Sequence, residues 1–484
     1  MTVLEPSQIE SKPHIIILGA GPAGLGAASQ LARRTQAQVT VLEQNIHVGG
    51  NAGSFELSGV HVDFGSHRLH PTTDPQVLND IRSLLGEDLL DRPRHGRIRL
   101  RGRWIHFPLK PMDLMLRLPP NFITGVMGDI AGKVVLRGRS TGQNETFASL
   151  MEKGLGKTIC QDFYFPYARK IWGVEPQELS VTQARRRVKN NSLGKMIQKA
   201  LSAIPGLKPK GSGRFFYPRK GFGQISQVYF QDALHHGAHF ELGARVKAVD
   251  LLPGEPPAVR FEKDNQLQTL QADYVWSTIP ITILARMLNP APPAKLLEAA
   301  QNIHYRAMIL VYLVLDTPQF TEYDAHYFPG ADIAITRLSE PKNYSTSQEP
   351  LDRTVLCAEL PCTADGKEWQ MTDEDLGKLV CEALARAGLP VKVDVLQSVS
   401  RRLRFAYPIY HQGYEQYFER LDEWVGMQEN VLTFGRQGLF AHDNTHHALY
   451  MAYSAVSCLQ KDGSFNQEQW EAYRKIFETH VVED

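Results

Sequence analysis

The chain has 484 residues, of which 43% are hydrophobic and 22% are charged, and its formal net charge at pH 7 is +1. This length and composition predict a soluble globular protein of two or three domains, and the small net charge excludes a global attraction to nucleic acid or to a membrane. Five scattered cysteines without a CxxC pair, and no signal peptide at the N-terminus, predict a cytoplasmic protein without a disulfide framework.

A short buried strand is the first predicted element. The apolar residues of HIIIL run into a glycine, which is typical of a parallel strand. The following GLGAASQLARR predicts a helix with small residues on its first turns. Between them lies a GxGxxG turn, which consists of Gly19, Ala20, Gly21, Pro22, Ala23 and Gly24. In such a turn glycine lets a pyrophosphate approach the backbone, and the helix N-terminus offers it N–H groups.

A second strand and a second glycine turn follow. QVTVLE (38–43) predicts a strand that ends in Glu43, just before Gln44, where an acidic residue is expected to hold a ribose hydroxyl. HVGGNAGSF then offers another close approach to the backbone at Gly49 and Gly50. These features together predict a βαβ unit that binds a dinucleotide, although the glycine turn alone does not distinguish NAD from FAD.

The middle of the chain changes from strands to helices. FELSGVHVDF predicts a hairpin, and HGRIRLRGRWIHFP predicts two more strands that turn at Arg101-Gly102. Residues 111–205 have helical periodicity and predict a helical insertion. Residues 214–224, RFFYPRKGFGQ, predict a loop.

The last part of the chain returns to mixed elements. We predict a helix in ISQVYFQDALHHG, and then strands in AHFELGARVKAVDLL, VRFEK, YVWSTIP, IHYRAMILVYLVLD and RTVLCA. DEDLGKLVCEALARAG predicts an amphipathic helix. Residues 430–459 predict a strand, a loop and a helix whose N-cap is Asn444 or Thr445.

These stretches, in this order and spacing, resemble flavoproteins of the amine-oxidase superfamily over nearly the whole chain. The nearest similarity is to UDP-galactopyranose mutases and to bacterial protoporphyrinogen-oxidase-like proteins. The resemblance is carried by GAGPAGLGAA, VGGN, DFGSH, RWIHFPL, PYARKIWGVEPQELS, YPRKGFGQ, STIP and GRQGLFAHDNTHHA. VGGN after the acidic strand resembles the second FAD loop, so the resemblance implies FAD as the cofactor.

The resemblance also implies which residues hold FAD. The backbone of Val246 is expected to meet the adenine, and the turn at Gly435 and Arg436 is expected to reach the flavin pyrophosphate. The final helix would direct its N-terminal dipole at the N1–C2=O edge of the flavin. The cofactor set that follows from the resemblance is Gly19, Gly21, Pro22, Ala23, Gly24, Glu43, Gln44, Gly49, Gly50, Asn51, His67, Val246, Gly435, Arg436, Asn444 and Thr445.

Five residues are candidates for catalysis by the same resemblance, each with a structural role as the alternative. His67 resembles a mobile-loop histidine that contacts the flavin ring in the mutases. Arg187 and Arg337 resemble two arginines that hold the substrate diphosphate, and Tyr407 resembles a tyrosine that closes over it. His442 replaces an aromatic hydroxyl of the mutases and can act as an acid or base near neutral pH.

The predicted fold is α/β, or α+β overall, with a Rossmann-type, glutathione-reductase-like FAD domain, a mixed-sheet substrate domain and a helical insertion. Because strands from both ends of the chain are expected in one sheet, the FAD domain is predicted to be discontinuous. The predicted boundaries are 1–80, 212–285 and 400–484 for the FAD domain, 81–110 and 286–399 for the substrate domain, and 111–211 for the insertion.

Three functions compete at this point. The leading hypothesis is an FAD-dependent oxidoreductase that transfers hydride from a small-molecule substrate to flavin N5. The alternative is a non-redox isomerase that acts on a nucleotide sugar through reduced FAD. Arg187, Arg337 and His67 favour this alternative, and His442 opposes it. A binding protein similar to the escort proteins of prenylated small GTPases is disfavoured, because the glycine turn is intact here.

The expected partner is a small molecule, with a nucleotide sugar or another anionic metabolite as candidates, and nucleic acid is not expected. No metal site is predicted, because the histidine cluster of His442, His446 and His447 has no readable carboxylate shell. The oligomeric state and a peripheral membrane association through the helices near 111–137 are left open.

Overall fold

A computed structural model describes residues 12–108, 116–135, 145–188 and 213–482 of the protein. The strands are β1 (His14–Leu18), β2 (Gln38–Glu43), β3 (Ser54–Leu57), β4 (Val60–Asp63), β5 (Leu89–Pro93), β6 (Gly96–Leu100), β7 (Arg103–Phe107), β8 (Arg214–Pro218), β9 (His239–Leu242), β10 (Arg245–Asp250), β11 (Ala258–Lys263), β12 (Gln266–Gln271), β13 (Tyr274–Ser277), β14 (Leu288–Asn289), β15 (His304–Leu315), β16 (Ala325–Tyr327), β17 (Arg337–Ser339), β18 (Thr354–Cys362), β19 (Val395–Ile409) and β20 (Val431–Thr433).

Helices occupy much of the remaining chain and confirm the α/β fold class. They are α1 (Pro22–Arg34), α2 (Pro75–Leu85), α3 (Pro120–Val135), α4 (Phe147–Leu155), α5 (Lys157–Ile159), α6 (Phe165–Trp172), α7 (Val181–Val188), α8 (Gln224–His235), α9 (Ile281–Met287), α10 (Ala294–Gln301), α11 (Pro341–Ser345), α12 (Asp373–Arg386), α13 (Tyr414–Gly426), α14 (Gly435–Gly438), α15 (Thr445–Cys458) and α16 (Gln467–Phe477). A π-helical segment, Cys160–Tyr164, joins α5 to α6.

Two compact units divide the chain. Unit 1 draws its described residues from 12–50, 226–300 and 419–480, and unit 2 draws them from 51–225, 301–418 and 481–482. The predicted division into three domains (FAD domain, substrate domain and helical insertion) differs from these two units and stays a prediction.

Unit 1 contains a parallel five-stranded sheet in the order β20-β13-β1-β2-β9. Strand β1 is central because its apolar residues can be covered on both faces: Ile15, Ile16, Ile17 and Leu18 are all 0% exposed. The predicted strands at 14–18 and 38–43 are confirmed, and β20 brings residues from near 430 into the same sheet. A second sheet, β12-β11-β10-β14, completes the strands of unit 1.

Small residues allow α1 and α15 to pack closely in unit 1. A Cβ atom at Gly26 would lie 2.9 Å from Cδ2 of Leu449 and 3.2 Å from Cβ of Ala452. The predicted N-cap at Asn444 is confirmed: its side chain accepts a hydrogen bond from the backbone of the third helical residue, His447, in a capping box. Both helices therefore begin with glycine or polar residues and bury small or apolar side chains.

Unit 2 contains a seven-stranded sheet in the order β19-β15-β18-β17-β16-β6-β7. Its central strands β15 and β18 pair antiparallel, and β18 is buried along its whole length. Helix α12 packs on this sheet through Leu376, Val380 and Leu384, which are 0% exposed. A separate core lies among the helices between 116 and 188, and it includes Trp172.

Two sequence predictions for unit 2 need correction or addition. Residues 214–224 were expected to form a loop, but Arg214–Pro218 is strand β8, which pairs antiparallel with β5. The interpretation was wrong because the glycines and basic residues after Pro218 obscured a short aromatic strand. Strand β19 was not predicted either, because its arginine-rich sequence carries little apolar alternation, although it pairs along most of β15.

Among the described helices, none combines the length and apolar character needed to cross a lipid bilayer. Two parts of the segment 111–137, for which membrane association was considered, lie outside the described residues: 111–115 and 136–137.

Candidate functional site

Two glycine turns lie against each other in unit 1. The N–H of Gly49 donates to the carbonyl oxygen of Ala20 at 2.8 Å, and a Cβ atom at Gly50 would lie 3.3 Å from Cα of Gly21. A Cβ atom at Gly24 would lie 2.0 Å from the carbonyl oxygen of Gly19, so only glycine fits there. At Gly21, by contrast, a Cβ atom would meet no atom of the described residues within 4 Å. The backbone at Gly21 in the first turn is therefore open to the approach of a ligand.

The carboxylate of Glu43 lies beside the first turn at the end of β2. It is 7% exposed, and its Oε2 accepts the N–H of Ala20 at 2.8 Å. Its Oε1 accepts from the backbone and side chain of Asn45 at 2.9 and 2.6 Å. The carbonyl oxygen of Glu43 accepts the N–H of Ala244 at 2.8 Å, so the residue before β10 lies beside the backbone of Glu43. Gln44, in contrast, is exposed.

The turn before α15 also packs on the first glycine turn. Gly435 has φ +81°, and a Cβ atom there would lie 2.7 Å from Cβ of Ala23. Arg436 donates from Nη1 to the carbonyl oxygen of Asp443 at 2.8 Å, which fixes the segment that leads to the cap residue Asn444. The structure thus brings these predicted cofactor residues together in unit 1: Gly19, Gly21, Pro22, Ala23, Gly24, Glu43, Gly49, Gly50, Val246, Gly435, Arg436, Asn444 and Thr445.

The histidines near this turn are largely buried. His442 is 3% exposed and His446 is 7% exposed, so neither belongs to a solvated helix cap. His442 lies in unit 1, whereas the other four candidate catalytic residues lie in unit 2.

This donor set fits a dinucleotide. Helix α1 begins with no side-chain cap on its first turn, so its N–H groups can receive a phosphate. The space in front of Gly21 admits that phosphate, and the Glu43 carboxylate suits ribose hydroxyls. Unit 1 by itself therefore has the chemistry needed to hold the nucleotide part of a dinucleotide cofactor.

His67 in unit 2 is a partly buried imidazole. Its Nε2 lies 3.0 Å from two carbonyl oxygens, those of Asn51 and Phe64, so Nε2 carries the proton and Nδ1 is the acceptor atom. Burial lowers the pKa of His67, against the opposing influence of the Asp63 carboxylate. The ring stacks on Phe222 at 5.2 Å. A predicted cofactor residue, Asn51, donates from Nδ2 to the carbonyl oxygen of Phe405 at 3.0 Å.

Arg337 forms an ion pair that the sequence did not predict. Its Nε and Nη2 donate to Oε1 of Glu359 at 2.9 and 2.7 Å, and the N–H of Ser66 donates to the same oxygen at 2.8 Å. Burial by itself lowers the pKa of Arg337, but the Glu359 carboxylate raises it well above its usual value. Arg337 is therefore a permanent cation whose charge is matched inside unit 2.

Tyrosines surround this ion pair. The guanidinium of Arg337 lies 5.8 Å from the ring centre of Tyr327, and the hydroxyls of Tyr407 and Tyr167 are close enough to raise its pKa. Tyr407, on β19, thus lies near Arg337, and its role toward a substrate stays a prediction. Arg187 lies within α7, but its side chain is outside the described part of the chain.

A buried carboxylate at the end of β4 organises the loop that carries His67. Asp63 accepts hydrogen bonds from Oγ of Ser54 at 2.6 Å, from the hydroxyl of Tyr217 at 2.6 Å and from the N–H of Phe222 at 2.8 Å. Burial raises the pKa of Asp63 even though these donors oppose the rise. Neither Asp63 nor Glu359 was named in advance, although a charged residue inside the apolar strand TVLCAELPC was an available signal.

We expect Asp63→Ala to lower the free energy of unfolding by about 3 kcal/mol, because three buried donors lose their acceptor. Asp63→Asn should cost less, since its amide oxygen can still accept. Equilibrium urea unfolding of the three proteins measures the difference. Equal stability of Asp63→Ala and the parent would show that these hydrogen bonds do not hold the loop.

Comparisons with known proteins agree with this geometry. The family model described as flavin containing amine oxidoreductase matches residues 22–453. Coproporphyrinogen III oxidase of Bacillus subtilis (strain 168) is 22% identical over 447 residues, which cover 86% of this chain and 91% of that protein.

Solved structures show the same fold at low sequence identity. Reduced UDP-galactopyranose mutase has a TM-score of 0.79 at 20% identity, with 98% of this chain and 100% of that chain covered. Cyclohexylamine oxidase from Brevibacterium oxydans IH-35A has a TM-score of 0.61 at 16% identity, with 96% of this chain and 100% of that chain covered. Proteins of different reaction type thus share this architecture, so the reaction must be argued from the residues.

Proposed function

Because this chain belongs to the family of flavin-containing amine oxidoreductases, we propose that it is an FAD-dependent oxidoreductase that oxidises a small-molecule substrate. The observation that carries the proposal is the pair of glycine turns beside Glu43 in unit 1. Family membership implies a flavin, and the second glycine turn supports the dinucleotide form.

The residues of unit 1 have distinct roles in this proposal. Gly21 and the first turn of α1 hold the pyrophosphate, and Glu43 holds ribose hydroxyls. The N-terminus of α15, capped by Asn444, would offer positive partial charge to stabilise a reduced flavin. Val246 lies at the start of β10, where its backbone is assigned to the adenine.

FAD, when bound, would supply the acceptor for a hydride from a substrate C–H. The oxidation also releases a proton from the substrate, and we assign its acceptance to Nδ1 of His67, because Nε2 already carries a proton. The Arg337–Glu359 pair and the surrounding tyrosines orient polar groups of the substrate in unit 2. His442 is a second candidate for proton transfer within unit 1.

A nucleotide-sugar isomerase is the second candidate function. The closeness of Tyr407 to Arg337 favours it, because these are two of the residues that the resemblance assigns to a diphosphate. The ion pair with Glu359 opposes it, since a carboxylate already occupies the guanidinium edge that a diphosphate would need. An oxidoreductase does not require a diphosphate to displace Glu359 from Arg337, so we place the oxidoreductase first.

The substrate class and the location belong to the same proposal. We propose that the substrate is a small organic metabolite and that nucleic acid is not a partner. We propose a reducing compartment such as the cytoplasm, because the five cysteines are scattered along the sequence without a CxxC pair.

The purified protein is expected to be yellow, and its true substrate should bleach the oxidised flavin in the absence of oxygen. A panel of amines, porphyrinogens and nucleotide sugars is mixed with the anaerobic protein while the flavin absorbance is followed. Return of the absorbance on admission of oxygen or another electron acceptor completes the expected cycle.

The control is protein reduced with dithionite before substrate is added. Turnover of a nucleotide sugar only after this reduction, with no bleaching by any compound, would replace the oxidoreductase by the isomerase. A colourless protein that does not take up added FAD would overturn both functions.

A further inference from the structure

A buried carboxylate lies between two histidines in unit 1. His480 Nδ1 lies 2.9 Å from Oδ2 of Asp443, and His447 Nδ1 lies 4.0 Å from the other oxygen, Oδ1. The side chains of His447 and His480 are 13% and 10% exposed, and that of Asp443 is 0% exposed. One candidate ligand atom from each residue lies within 4.8 Å of the others.

The two imidazole rings are held parallel. Their centres are 4.3 Å apart and their planes differ by 15°, so both rings present an edge to the same carboxylate. The Asp443 backbone is fixed by the hydrogen bond from Arg436 to its carbonyl oxygen. His447 is the third residue of α15, and its Nδ1 also accepts the N–H of Asn444 at 3.2 Å. The cluster is therefore compact before any ligand arrives.

These separations are close to those of a metal site. Zinc is bound by imidazole nitrogen and carboxylate oxygen at about 2.0–2.2 Å, so two ligand atoms in a tetrahedral site are about 3.3 Å apart. The observed separations, from 2.9 Å to at most 4.8 Å, bracket this distance. A metal ion lies in the plane of each imidazole that binds it, so one of the two stacked rings must turn about its Cβ–Cγ bond before both can bind the same ion. Coordination through Nδ1 of His447 would exchange its bond to Asn444 for a bond to the metal.

We propose that Asp443, His447 and His480 form a binding site for one divalent transition-metal cation, and that Zn²⁺ fits this ligand set best. Two nitrogen donors favour Zn²⁺ over Mg²⁺ and Ca²⁺, which prefer oxygen. Three protein ligands leave one coordination position for water. The site does not depend on the proposed redox function. Bound metal would tie the segment after α16 to the start of α15 and so stabilise unit 1.

The test is a titration of the chelator-treated, full-length protein with Zn²⁺ by isothermal titration calorimetry, with metal content measured after buffer exchange. We expect one Zn²⁺ per chain, a dissociation constant of about 1 µM or below, and a higher Tm with zinc. His480→Ala should weaken binding at least about 100-fold, because even loss of a residue that only supports a ligand costs 10–100-fold. Mg²⁺ should not compete.

Two further variants keep the result interpretable if His480→Ala folds poorly. His447→Gln removes an imidazole but places at this position a residue common in capping boxes, and it should weaken zinc binding as strongly. His236→Ala removes an exposed histidine that also faces a carboxylate, Asp232, and should leave the affinity unchanged. Absence of stoichiometric zinc, or equal affinity in His447→Gln and the parent, would overturn the site.

Discussion

Gly24→Ala is expected to abolish FAD binding and to destabilise unit 1 by about 3 kcal/mol. The added Cβ atom would lie 2.0 Å from the carbonyl oxygen of Gly19, and neither backbone segment can give way cheaply. The first turn of α1 would move away from β1, and the N–H groups that face the phosphate would move with it. Purified variant and parent are compared for flavin content and for urea stability.

Gly21→Ala is the matched control because it adds the same methyl group three residues earlier. Within the part of the chain that the structure describes, its Cβ atom would meet nothing within 4 Å, and Gly21 has an extended backbone with φ −78° that alanine adopts freely. Stability should stay within about 0.5 kcal/mol of the parent. FAD affinity should still fall by about tenfold or more, because the methyl group occupies the approach of the pyrophosphate. Unchanged FAD affinity in Gly21→Ala would contradict the assignment of this turn.

Glu359→Ala is expected to lower the free energy of unfolding by about 3–5 kcal/mol. Glu359 is 4% exposed, and its removal leaves the buried guanidinium of Arg337 without its carboxylate. The N–H of Ser66, next to His67, loses its acceptor at the same time. Urea unfolding followed by circular dichroism measures the loss.

The double variant Arg337→Met with Glu359→Leu separates charge pairing from a role in substrate binding. Replacing a buried ion pair by apolar residues of similar size is often neutral, so its stability should recover most of the loss. Its flavin content should match the parent, whereas its rate with the identified substrate should fall. Full activity of the double variant would remove Arg337 from the proposed site.

The nucleotide-binding elements could be predicted because their signals are local. The GxGxxG turn, the strands on either side of it and the cap at Asn444 each depend on residues a few positions apart, and the structure confirms these elements. Strand β19 could not be predicted in the same way, since its strand pairing comes from β15, about 90 residues earlier in the chain. Its half-exposed arginines hide the alternation on which strand prediction depends.

The partners of the site residues could not be predicted for a related reason. Nothing near Arg337 in the sequence indicates that Glu359, 22 residues later, neutralises it. His480 lies 37 positions after Asp443, so the histidine cluster read from the sequence omitted one of its members. Side-chain pairing across different elements requires the register of the sheet or the packing of helices, which local patterns do not contain.

The parallel sheet of unit 1 has a consequence for the order of events during synthesis. Strand β13, which pairs with β1, is flanked on its other side by β20, whose residues 431–433 are made more than 400 residues after β1. The chain leaves the ribosome from its N-terminus onward, so β1 and β2 emerge long before the last strand of their sheet has been made. We expect the newly synthesised unit 1 to depend on chaperones until β20 has been made. A chain truncated before residue 431 should be degraded rather than accumulate.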